Sequence, residues 1–192
     1  FKFVTQLSSE ECFQKGIKVV SVFKKDGTYQ LLEDTKLNGI ICIGKFTEEE
    51  VNQVSAISSN LVFLDSSPND EIYDGVKTNF KLGVFQALNY FTKMGHEKIG
   101  FVGSEKTLND LKIFSLDDRL KFFYEYMKEK GLYNEQFIID SEMTYDGGYR
   151  SISEYLKNNG SLPTALFASN DAVAVGVIRG LQEAGYEVPK DI

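Results

Sequence analysis

One phrase recurs along this chain and limits its fold more than any other feature: a short apolar run, a polar break, then a helix-spaced stretch that stops at glycine. Its fullest statement runs from Pro163 to Gly185. Ala165-Leu166-Phe167 suits a buried strand, and Ala172-Val173-Ala174-Val175-Gly176-Val177-Ile178 suits a helix whose small side chains let it lie close on a sheet. Between them, Ser169-Asn170-Asp171 puts polar groups at a strand's carboxyl end, which is where open α/β sheets hold their ligands.

The same grammar predicts strands at Ile17–Phe23, Gly39–Gly44, Leu61–Asp65, Lys98–Gly103 and Phe137–Asp140. Thr47 and Glu50 form a capping-box signature opening a helix, with acids suited to the positive helix end. From Phe80, the residues Val84, Leu88 and Phe91 recur at helical spacing. Ser115 and Asp118 read as a cap pair for a helix burying Leu120, Phe123 and Met127, and Asp146 starts another carrying Ile152, Tyr155 and Leu156. Helices are expected to stop at Gly16, Gly95, Gly131 and Gly185. Asp26-Gly27 and Asn158-Asn159-Gly160 read as turns, and Glu105 to Asp110 as the hinge or crossover. This βα order implies parallel sheets with helices on both faces. For 192 residues, two sheets joined after about Gly103 fit better than one large sheet.

Composition narrows the function. The net charge of -7 repels phosphate and makes this stretch a poor nucleic-acid binder by itself. Cys12 and Cys42 are far apart in sequence and form no CxxC pair, so free thiols in a reducing cytosol are expected. No apolar run is long enough to span a bilayer. There is no GxSxG, P-loop, HExxH or helix-opening GxGxxG, and no carboxylate pair is singled out. His96, the single histidine, follows Gly95 at a helix end and reads as structural. The expectation is no catalytic residue, no metal and no cofactor.

A polar ring remains at strand ends: Gly44, Asp65-Ser66-Ser67, Ser104 and Asn170-Asp171, with Arg119 in the first turn of its helix. Such a set suits a polyhydroxylated ligand, because Asp and Asn accept from or donate to hydroxyls and Arg offers a rigid fork. Structural roles compete for the same residues. Asn170 or Asp171 could cap the next helix, and Arg119 could neutralise Asp117 and Asp118. Lys81 and Arg119 are the cations that stand out for a phosphorylated ligand.

The segments "NGIICIG", "NLVFLD", "MGHEKIGFVGS", "DDRLKFF", "DGGY" and "PTALFASNDAVAVGVIRGLQEAGYEVPKDI" resemble the effector-binding core of LacI/GalR-type bacterial transcription regulators. The resemblance covers nearly the whole chain. It implies α/β architecture as two doubly wound parallel-sheet lobes of type I periplasmic-binding-protein-like form, with the ligand in the cleft. The lobes are expected at 1–104, without its first strand, and at 105–192, incomplete at its carboxyl end. The resemblance implies a core truncated at both ends, with operator DNA bound through a helix-turn-helix domain absent from this chain.

Carried over by position, Arg119 matches the arginine that grips the effector, and Asn170 the asparagine of an "ND" pair facing the cleft. Thr78 stands where many members have a ligand-contacting aspartate, which alters that contact. Met143 and Tyr145 match an apolar or aromatic wall, while Asp171 is expected to cap its helix or support the site from behind. "SLDDRLKFF" tilts the expected effector toward a galactoside. The resulting expectation is a cytoplasmic sugar-sensing repressor core, not an enzyme, acting as a homodimer without membrane contact. The dimer is expected to use the apolar surface of the helix after Asp171 together with a first helix around Phe3 and Cys12. The competing expectation is a periplasmic-type sugar-binding protein serving a transporter.

Overall fold

The structure is a computed structural model, and it describes residues 10–30, 36–108, 114–158 and 161–192. Phe3, Asp110 and the expected turn at Asn159-Gly160 lie outside the described residues. Two compact units are present. The first includes the described residues up to Thr78, and the second runs over Asn79–Thr107 and Phe114–Ile192.

In the first unit, β1 (Phe23–Lys25) and β2 (Thr28–Gln30) form an antiparallel hairpin. Its turn residues Asp26 and Gly27 take φ of 50° and 83°, the positive pair that matches the twist of a two-residue hairpin. Strands β3 (Ile40–Ile43), β4 (Leu61–Leu64) and β5 (Asp74–Val76) form a parallel sheet in that order, with Cys42 opposite Phe63 and Phe63 opposite Gly75. The helix between them, α1 (Glu48–Ile57), begins with the expected capping box. The Thr47 hydroxyl accepts from the Glu50 N–H at 3.2 Å, and the Glu50 carboxylate accepts from the Thr47 N–H at 2.8 Å. Glu50 is buried, and Lys24 meets its other oxygen at 2.7 Å. Val51 and Val54 of α1 pack on Cys42, Leu61 and Phe63. That burial pushes the Cys42 thiol up to about 11.

The expected strand at Ile17–Phe23 is not formed. Residues 17–22 take no regular structure, and only Phe23 enters a strand, in the hairpin. The local Asp26-Gly27 turn captures the end of the run, and among the described residues β4 is the strand paired with β3. The segment borders β3 across a cavity of about 640 Å³.

The second unit is sandwiched. Strands β6 (Ile99–Gly103), β9 (Ile138–Asp140) and β10 (Ala165–Ala168) form a parallel sheet of order β10-β6-β9. Side chains alternate across a strand, so Ile99 and Phe101 face one way and Val102 the other. On the first face lie α2 (Phe80–Lys93) and α3 (Asp118–Glu129), which bury Val84, Leu88, Leu120, Phe123 and Met127. On the second lie α4 (Tyr145–Asn158) and α5 (Asp171–Glu183), which bury Ile152, Tyr155, Val173, Val177 and Leu181. The buried stripe of α5 therefore runs through Val173, Val177 and Leu181, with Ala174 only half-buried. Segment β7 (Lys106–Leu108), within the stretch expected to be a hinge or crossover, pairs with β8 (Phe114–Leu116) beyond it as a small sheet.

The glycines of "DGGY" answer to packing. A Cβ on Gly148 would run into the Val173 carbonyl, and one on Gly176 into the Tyr145 carbonyl. Helices α4 and α5 therefore meet backbone to backbone. The four expected stops hold: Gly16, Gly95, Gly131 and Gly185 have φ of 71°, 89°, 69° and 91°.

The expected division near residue 104 is corrected to Thr78/Asn79. Strand β6 hydrogen-bonds to β9 and β10, so Ile99–Gly103 and the helix α2 before it belong to the second unit. Both units retain the α/β, parallel-sheet character read from the sequence.

Candidate ligand site at the carboxyl edge of the second sheet

All three strands of the second sheet run parallel, so their carboxyl ends share one edge. Ser104 follows β6, Ser141 follows β9 and Ser169 follows β10. The first residues of α3, α4 and α5 follow these loops. Gly103 ends β6 because no other residue fits: a Cβ there would collide with the Ser169 side chain.

At the start of α3, Asp117 is the N-cap and is only 3% exposed. Its Oδ1 accepts from the Arg119 N–H at 2.9 Å and from Arg119 Nε at 2.8 Å, and its Oδ2 accepts from Arg119 Nη2 at 2.7 Å. This is a two-bonded fork, the strongest and most oriented form of the pair. Arg119 Nη1 donates to the Ser169 carbonyl at 3.1 Å, and the guanidinium carbon lies 5.1 Å from the centre of the Phe80 ring. Arg119 is thus held by three elements and keeps a side-chain exposure of 21%.

Ser169 extends the set. Its hydroxyl donates to Met143 Sδ at 3.1 Å. Asn170 is the N-cap of α5: its Oδ1 accepts from the Val173 N–H at 2.8 Å, and its Nδ2 donates to the Met143 carbonyl at 3.4 Å.

The structure thus gathers Arg119, Met143 and Asn170 around Ser169. Tyr145 and Asp171 are the first residues of α4 and α5 and are exposed. Thr78 is exposed and is the last residue of the first unit before Asn79, the N-cap of α2. Two cap assignments change. Asn170, not Asp171, caps α5, because its side chain reaches the third amide while Asp171 already lies inside the helix. Asp117, not Ser115 or Asp118, caps α3 for the same reason.

Lys81 is engaged elsewhere, paired with Glu125 at 2.5 Å and lying over Phe85 and Phe122. His96 bonds Thr164 at 2.9 Å and meets the Phe91 ring edge-on, which supports its structural reading. Among the described residues, no group of three or more His, Cys, Asp or Glu is placed to hold a metal ion.

Sequence reasoning weighed the pairing of Arg119 with Asp117 but missed Asp117 as the cap, and it missed the parts played by Phe80 and the Ser169 carbonyl. The signal for Asp117 was present as an N-cap residue two places before an arginine. Phe80 carried only an apolar helical signal, and a backbone carbonyl such as that of Ser169 carries none. In the first unit Asp65 was noted as part of the ring but not as unusual. It ends β4 at φ 74°, beside Gly44, which ends β3 at 99°.

A parallel sheet covered on both faces, with polar groups gathered at its carboxyl edge, is the architecture of the open α/β ligand-binding domains. The chain belongs to the periplasmic binding protein-like family, whose domain matches residues 88–192. Its relatives are LacI/GalR-type regulators. The HTH-type transcriptional regulator GalR of Streptococcus thermophilus is 38% identical over 80% of this chain and 46% of its own length. The HTH-type transcriptional repressor MelR of Bacillus subtilis is 28% identical over 100% of this chain and 56% of its own length. This chain thus spans about half the length of these relatives. Among solved structures, a transcription regulator from Lactobacillus plantarum matches 100% of this chain and 71% of its own, with a TM-score of 0.72 and 21% identity. A transcriptional regulator CelR–cellobiose complex matches 81% of this chain and 47% of its own, with a TM-score of 0.65 and 21% identity.

Proposed function

We propose that this chain is the effector-binding core of a LacI/GalR-type transcription regulator, and that it binds a small sugar at the carboxyl edge of the second sheet. The observation that carries this reading is Arg119, a rigidly oriented and partly exposed guanidinium among a ring, a thioether, an amide and helix starts. A sugar needs that mixture, because hydroxyls pair with fixed polar groups while C–H faces lie on apolar ones. Arg119 is the principal anchor. Asn170 adds a donor through Nδ2, and Met143 and Tyr145 supply the wall. Asp171 is a peripheral contact. Two structurally similar transcriptional regulators, one with bound ribose and one in complex with cellobiose, support a sugar, and the resemblance of "SLDDRLKFF" favours a galactoside.

The parent protein would be a cytoplasmic repressor acting as a homodimer, with operator DNA bound through a helix-turn-helix domain outside this chain. Val175 and Ile178, 56% and 39% exposed on the outer side of α5, suit a two-fold contact. Light scattering at micromolar concentration reads that dimer directly, and a persistent monomer would overturn it. A thermal-shift screen of sugars followed by calorimetry tests the binding reading. Arg119→Ala should weaken the bound sugar at least tenfold, since a charged hydrogen bond contributes about 1.5–3 kcal/mol. Unchanged affinity would remove Arg119 from the site, and a screen without a binder would remove the sugar.

A further inference from the structure

The proposed site leaves the charge of its ligand open. A helix start carrying an arginine is, on general grounds, a place for phosphate. The α3 start departs from that pattern in one respect. Its cap is a carboxylate, 3% exposed, that takes Arg119 along one edge of its fork, through Nε and Nη2. As a cap alone, Asp117 has no need of charge, since Asn or Ser caps equally well. The α5 start is capped by neutral Asn170 and the α2 start by neutral Asn79. Among the assigned caps Thr47, Asn79, Asp117 and Asn170, the aspartate is the one that faces an arginine. The other acids of these first turns, Asp118, Asp146 and Asp171, add the same sign.

We propose that Asp117 is a positioning residue that sets the ligand's charge class: by neutralising Arg119 in a fixed two-bonded pair, it makes this edge select an uncharged, hydroxyl-bearing ligand and refuse a phosphorylated one. The paired guanidinium still directs N–H groups, so it can bond hydroxyl oxygens. The pair carries no net charge with which to offset the desolvation of a phosphate dianion. This rests on the sugar-effector reading and specifies the class of sugar.

The first probe is inorganic phosphate, which requires no knowledge of the sugar. The intact chain should show no change in melting temperature with millimolar phosphate at constant ionic strength. Asp117→Asn keeps the cap and frees the charge, so it should gain a phosphate-dependent rise in melting temperature. Adding Arg119→Ala to that variant should abolish the rise. Asp117→Ser carries the same comparison if the asparagine variant folds poorly. The second probe is a neutral sugar found by screening, set against its phosphate ester. The intact chain should prefer the neutral form, Asp117→Asn should lower that preference at least tenfold, and Asp117→Glu should largely retain it. A structural cap alone would move none of these ratios. Phosphate stabilisation of the intact chain, or an unaltered ratio in Asp117→Asn, overturns the inference while leaving sugar binding intact. Absence of any sugar binding removes the functional reading, and the inference with it.

Discussion

The two units use the same strand language and reach different degrees of closure. In the second, every residue of β6 is buried, and Phe101 stacks on Phe167 and packs against Phe123 on a face closed by α2 and α3. In the first, β3 and β4 read as equally apolar runs, yet among the described residues α1 is the helix packed on their covered face. Ile41 remains 48% exposed and Val76 64%. An apolar strand is therefore evidence of a face that can be buried, and the covering elements decide whether it is. The lesson extends to the sites. Where the sheet is closed on both faces, its carboxyl edge is built from helix starts that lock side chains in place.

This contrast can be broken or sharpened by substitution. The largest effect is expected from Phe101→Ala, which should destabilise the second unit by about 3–5 kcal/mol as a cavity opens among packed rings. Ile41→Ala in the first unit should cost no more than about 0.5–1 kcal/mol, because half of its surface is already in water. Urea midpoints of the two variants read the difference, and equal losses would mean that the first sheet is covered as fully as the second.

Next comes the α4–α5 contact, which among the described residues has no counterpart on the face of the first unit covered by α1. Gly176→Ala should cost about 1–3 kcal/mol, because its Cβ meets Tyr145 and Tyr149 backbone atoms. Gly83→Ala, in α2 with open space around it, should instead gain about 0.5–1 kcal/mol from helix propensity. Thermal melts that rank the two the other way would place the helices farther apart than the structure does.

The smallest effect concerns the caps. Asn170→Ala should lower stability by about 0.5–2 kcal/mol, while Asp171→Ala should cost only a few tenths through the helix dipole. Thr47→Ala, the cap of α1 in the first unit, should match Asn170→Ala in stability. Only Asn170→Ala should also weaken a sugar, because only that cap donates at the proposed site. Melting curves paired with calorimetry separate the two consequences.

Much of the fold follows from local rules. The βα alternation, the Thr47–Glu50 capping box, the hairpin at Asp26-Gly27 and four glycine helix stops each depend on residues within one or two turns of one another. Arg119's place in a helix's first turn was legible for the same reason. Partnership across the chain was not. Ile99–Gly103 looks the same whether its neighbours are β3 and β4 or β9 and β10, because strand periodicity carries no record of which strand it will join. The tertiary pairing alone moved the division to Thr78/Asn79. The site divides along the same line. The sequence supplied a cap residue and an arginine two positions apart. The bond from Arg119 to the Ser169 carbonyl, fifty residues away, exists only because β10 lies beside β6 and Gly103 lets Ser169 pass over it.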